Sequence, residues 1–373
     1  MSEIEPGRGY PSKVRTGPDW ALRWPNQLFV SEAISILSEH PPGSGNWTDC
    51  ARLLLEDAFA GTVPRDSIPP PESPQPGEDP RKILTDILLI ADTFQQVEDR
   101  QPYFLERNRT AGRGPLGRDA AQREFARSVT DLYARGYFAK DLYPGCVDDH
   151  DEQPTNVSAF IEERLGVADL WPLSATLPWE DDIWYSLIEL FHDLAARPRS
   201  RRYHSWNECG YHHNDFAVAP GQELYRWTMD KLLARADVPY RLGESGEDIG
   251  RLISVTDDGR SELTERLLAD HPQVATDPVA HSVSLFRRRG ATFEDKRSAI
   301  VTLAGVLEER RALLRQELLS RDESSLFEIA NNYALRHRNE NQRNEYAQEF
   351  LDWVFWLYAA TVELTDRLLR RSG

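Results

Sequence analysis

Seven prolines fall within the twenty residues 62–81, three of them consecutive at Pro69, Pro70 and Pro71. Each proline fixes φ and removes a backbone donor, so neither a helix nor a central strand can run through the stretch. It is predicted to be an extended, mobile linker. On its N-terminal side lie a Gly/Pro-rich arm and two short helical patterns at 29–37 and 51–59. Everything else must fold beyond residue 81, and 373 residues are enough for two or three globular units.

Downstream, apolar spacing near 3.6 dominates. Ile83, Leu84, Ile87, Leu88, Ala91 and Phe94 make one helical stripe, and 120–133 makes another that ends near Gly136. Residues 179–196 open with Glu180, Asp181 and Asp182, suited to a positive helix N-terminus, and meet Arg197-Pro198, before which a helix stops. A further helix is predicted at 223–234. Tyr240 to Leu242 and Arg251 to Val255, around the turn 243–250, read as the only convincing strand pair. Helices at 297–319, 325–335 and 346–369 with short connections imply a bundle. The predicted fold class is therefore mainly α, with a C-terminal helical bundle, one small β-hairpin in the middle region and a Pro-rich disordered segment near the N-terminus. The implied parts are an arm and linker (1–81), a helical region (82–150), a middle α+β region (151–290) and the C-terminal bundle (291–373).

Charge narrows the function. Lys and Arg number 44 against 61 Asp and Glu, a formal net charge of −17, which repels phosphate backbones except at a local patch. Residues 287–373 hold 15 basic and 14 acidic side chains, so the acidity lies upstream of them. The three cysteines, Cys50, Cys146 and Cys209, form no C-x-x-C pair and no disulfide framework, which suits a reducing cytoplasm. The N-terminus carries no apolar leader, and the uncharged run 353–362 is about half a membrane span. No membrane association is expected.

Two segments carry chemistry. His204, Cys209, His212 and His213 put imidazoles and a thiol within ten residues, a zinc-like set, yet none has C-x₂-C or H-x₃-H spacing. The same residues equally suit core aromatics with hydrogen-bonded histidines, so no metal and no cofactor is assigned. The second segment contains Asn331, Asn332, Arg336, His337 and Arg338 near a helix end. Arginine can grip a phosphate bidentately, and histidine can move a proton near neutral pH, which together could cleave RNA without a metal. Cationic side chains answering a helix dipole are the structural alternative.

That segment, continued by Tyr346 and Leu351 to Thr361, resembles the C-terminal module of bacterial abortive-infection-type proteins, whose helical bundle is similar to HEPN domains. Residues 184–192, 209–212 and 221–226 resemble the middle region of the same group. The resemblance implies an antiphage or toxin-like, RNA-targeting protein that dimerises through the C-terminal bundle and acts as a metal-independent ribonuclease. Arg336 would hold the phosphate, His337 would act as general acid or base, and Asn331, Asn332 and Arg338 would position the substrate. In the family an arginine precedes the histidine in an R-x₄₋₆-H motif. Here Asn331 and Asn332 stand in that place, while literal motifs occur at Arg197 and Arg199 before His204 and at Arg266 before His271. The alternative is a non-catalytic interaction or regulatory subunit of a defence complex, with Trp353, Trp356 and Tyr358 anchoring a protein partner. Their plainer role is bundle core.

Overall fold

The computed structural model describes residues 21–39, 47–60, 82–97, 115–146, 148, 153–206, 209–271, 277–318, 320–332 and 348–372. The Pro-rich stretch 62–81 lies outside them. Two compact units divide the chain, Met1–Asp237 and Val238–Gly373. Their boundary falls inside 151–290, so that stretch contributes to both. The described residues are mainly helical, with small two-stranded antiparallel sheets. None of their helices is long and apolar enough to cross a membrane.

In the first unit, helices α1 (Asn26–Glu39) and α2 (Trp47–Ala58) pack together. Strand β1 (Ala21–Leu22) pairs with β2 (Phe59–Ala60) beside them. Phe29, Phe59 and Phe94 meet edge to face at 5.0–6.4 Å. Helix α3 (Lys82–Leu89) stops short of the predicted Phe94. Asn26 donates to the Ala91 carbonyl and Thr93 to that of Ile90, which diverts the chain into a 3₁₀ turn while Phe94 stays buried.

Helices α4 (Arg118–Ala134), α5 (Val157–Leu165), α6 (Asp181–Leu194) and α7 (Val218–Arg235) follow. Three of them lie close to the predicted stripes, whereas α5, whose start is capped by the Asn156 side chain accepting from the Ala159 N–H, has no counterpart among them. Phe125, Phe138, Phe191 and Tyr225 form their aromatic core. The acids at the start of α6 serve the helix terminus, where Asp181 pairs with Arg118 at 3.0 Å.

Between α6 and α7 the structure corrects the expectation of a single strand pair. Strand β3 (Arg197–His204) pairs antiparallel with β4 (Gly210–Ala217). Its alternation is one of charge rather than hydrophobicity. Arg197, Arg199 and Arg201 share a face and reach Glu32 and Glu39 of α1 and Glu56 of α2 at 2.6–2.9 Å. Arg197 is fully buried, with its guanidinium 5.2 Å from the Trp24 ring. Gly221 of α7 lies against the start of β3, and a Cβ there would fall 2.4 Å from the Arg197 nitrogen. Only glycine permits that approach.

The second unit begins with the predicted hairpin, β5 (Tyr240–Leu242) and β6 (Leu252–Ser254). Helices α8 (Asp258–Asp270), α9 (Pro278–Arg287), α10 (Phe293–Glu309), α11 (Arg311–Glu317), α12 (Ser320–Asn332) and α13 (Gln348–Ser372) then build a helical bundle. The helix predicted over 297–319 is two, broken at Arg310, whose guanidinium turns to Thr365 and Asp366. Phe286 and Phe355 stack at 3.7 Å in the core.

One histidine ties α8 to α13. His271 hydrogen-bonds Asp277 at 2.7 Å and Asp366 at 3.0 Å, and Arg310 holds the other oxygen of Asp366. Burial pulls the His271 pKa down, but the bonds to Asp277 and Asp366 outweigh it and leave the pKa above the ordinary histidine value. The stabilisation is therefore complete below about pH 6.5 and is lost as pH rises through the folded-state pKa. His271→Gln should lower amide-exchange protection of α8 and α13 at about pH 6, with the difference from wild type shrinking towards about pH 9. A difference that stays constant across that range would contradict this role.

Candidate metal centre

The hairpin has a second face, opposite the arginines. Register pairs Arg202 with His212 and His204 with Gly210, so His204 and His212 are diagonal neighbours on that face, with ring centroids 5.9 Å apart. Cys209 immediately precedes β4.

A separate segment supplies the fourth group. After α4 the chain turns at Gly136 and continues to Cys146, 58 residues before His204. Two hydrogen bonds between Tyr143 and Thr155 pin this loop, at 2.8 and 3.0 Å. It brings the Cys146 sulfur to 3.6 Å from His204 Nδ1. One ligand atom each from Cys146, His204, Cys209 and His212 lies within 4.8 Å of the others. The opposite nitrogen of His204, Nε2, faces Asp148 Oδ2 at 3.2 Å, and His212 Nε2 is buried without a hydrogen-bond partner.

Of the four residues singled out in the sequence, three converge. His213 does not, because successive side chains on a strand point to opposite faces. Its ring packs on Gly136, whose φ of 82° and missing Cβ make room for it. Burial, then Arg201, pushes the His213 pKa down to about 4. The His212 pKa is also lowered, first by burial and then by His204 and Arg202, so both rings are neutral near pH 7. Cys146 is absent from the set singled out in the sequence because no local spacing links it to the hairpin. In the fold Cys146 and Cys209 are both partly exposed, whereas Cys50 is buried and its thiol is pushed up to about 11, first by burial and then by Asp215.

A cleft of about 650 Å³ adjoins the cluster, lined by Tyr143, Asp148, Arg202 and Asn214 among others. Around the hairpin end, Tyr203, Trp206 and Tyr211 are 63%, 71% and 47% exposed. Tyr203 and Tyr211 meet edge to face at 5.0 Å, and the Arg201 guanidinium lies 4.1 Å from the Tyr211 ring.

The other predicted residues are distributed differently. Asn331 and Asn332 end α12, while Arg336, His337 and Arg338 lie outside the described residues. Both literal arginine–histidine motifs are otherwise engaged. Arg197 and Arg199 bind Glu32 while His204 joins the cluster, and Arg266 lies near Glu262 and Glu363 while His271 bridges two aspartates. Tyr358 is buried, Trp356 packs against the bundle core and Trp353 is half exposed. No family model, curated protein or solved structure matches this chain.

Proposed function

We propose that this chain is an RNA-targeting protein of the antiphage or toxin type, acting in the cytoplasm. The observation that carries RNA engagement is the exposed set Tyr203, Trp206 and Tyr211 on one hairpin, with the Arg201 guanidinium over the Tyr211 ring. Every base has a π-face, so aromatic platforms flanked by arginine hold single strands with little sequence preference. The contact is local, as a chain of net charge −17 requires.

Cleavage in this proposal belongs to the C-terminal unit, as a homodimer. Arg336 holds the scissile phosphate, His337 moves the proton, and Asn331, Asn332 and Arg338 position the strand. The helices flanking this segment share one core, and Tyr358 of α13 donates to the Leu326 carbonyl of α12 at 2.9 Å.

Tyr203→Ala and Trp206→Ala test the platform by fluorescence anisotropy with single-stranded RNA at fixed low salt. Each lost stack is worth about 1–3 kcal/mol, roughly 5- to 150-fold in Kd. Wild-type affinity in both variants would overturn the platform. A second reading, an interaction subunit, is favoured by Phe350 and Trp353, 39% and 49% exposed on α13. It gains if a defined protein partner co-purifies and Trp353→Ala releases it.

A further inference from the structure

We propose that Cys146, His204, Cys209 and His212 bind one zinc ion in closed tetrahedral coordination, stapling the loop after α4 to the β3–β4 hairpin. With Zn–S near 2.3 Å and Zn–N near 2.0 Å, tetrahedral geometry puts sulfur and nitrogen ligands about 3.6 Å apart. The Cys146 sulfur and His204 Nδ1 already stand at 3.6 Å. Two sulfurs on one ion would be about 3.8 Å apart. The 4.8 Å spread of the whole set therefore requires a contraction of about 1 Å, within reach of side-chain rotation.

Three further features point to a metal. Coordination through Nδ1 leaves His204 Nε2–H to donate to Asp148, the outer carboxylate that commonly orients a ligating histidine. His212 Nε2 is buried and otherwise unpaired, a cost of about 1–3 kcal/mol that a metal bond removes. Two thiolates with two imidazoles suit zinc, and calcium or magnesium takes oxygen. A Rieske-type two-iron cluster also takes two cysteines and two histidines, but it holds the cysteines on one iron and the histidines on the other, farther apart than the 3.6 Å between Cys146 Sγ and His204 Nδ1. Binding releases the two thiol protons to water and involves no oxidation.

The protein fills all four positions, which leaves none for a water nucleophile, so the ion is structural rather than hydrolytic. Its mechanical role follows from the fold. The arginine face of β3 is tied to α1 and α2, and the metal ties the opposite face to the 143–146 loop. The hairpin end with Tyr203, Trp206 and Tyr211 is thereby fixed from both sides. The inference is independent of the RNA proposal, since zinc content and RNA affinity are separate readouts.

The test uses the full chain, purified without chelators or a histidine tag under reducing conditions. Elemental analysis should find about one zinc per chain, falling to near zero in Cys146→Ser and Cys209→Ser and unchanged in His213→Gln. Should the serine variants fail to fold, cobalt-substituted wild type supplies the second measurement. A tetrahedral two-thiolate d–d spectrum is expected, and alkylation of Cys146 and Cys209 should be blocked until a chelator is added. Three results would overturn the proposal: wild type without stoichiometric zinc, an intact-mass shift showing a Cys146–Cys209 disulfide, or full zinc retention in Cys146→Ser.

Discussion

Arg197→Met is expected to destabilise the first unit by about 3–5 kcal/mol, because it leaves the Glu32 carboxylate in the interior with half its pairing removed. Arg197 is 0% and Glu32 2% exposed, and they meet at 2.7 Å. Glu32 keeps Arg199 at 2.9 Å, and Asp57 keeps Arg135 and the Tyr137 hydroxyl, so the network should loosen rather than collapse. Its energy is nonetheless a difference of large quantities. Arg197 Nε and Nη2 have no hydrogen-bond partner, so part of the desolvation cost is not recovered. Removing both charges in Arg197→Met/Glu32→Gln should therefore restore part of the loss, giving a favourable coupling in a double-mutant cycle. Urea unfolding of the four proteins reads this directly. A single-variant loss below about 1 kcal/mol would mean that the arginine face is not what holds β3.

The helices were largely legible because burial imposes their period. Trp184, Leu187, Ile188 and Phe191 line the buried side of α6 as their spacing requires, and its start and stop follow from acids and from Arg197-Pro198. The β5–β6 hairpin was legible from apolar residues around a glycine turn. The β3–β4 hairpin was not. Arg-Pro-Arg-Ser-Arg-Arg-Tyr-His offers no apolar alternation, and its strand period is written in arginines whose partners lie more than 140 residues upstream. The candidate centre was hidden for the same reason. Three of its four ligands cluster in sequence, but only the fold brings in Cys146 and turns His213 to the other face. At Arg310 a tertiary pair overrode propensity, splitting one predicted helix into two.

His337→Ala carries the other large expected effect. If His337 moves a proton in RNA cleavage, its loss should lower the rate by about 10²–10⁴-fold, the usual contribution of a positioned acid or base. Arg336→Ala removes charge stabilisation at the phosphate and should cost a comparable amount, about 10²–10³-fold. Thermal unfolding midpoints equal to wild type in both variants separate a lost rate from a lost fold. The two losses should also be far from additive, because the groups act on one transition state. The most direct measurement is total-RNA integrity in bacteria expressing wild type, Arg336→Ala or His337→Ala at matched protein levels. The account predicts fragmented RNA and arrested growth with wild type alone; equal fragmentation in all three, or intact RNA in all three, would contradict it.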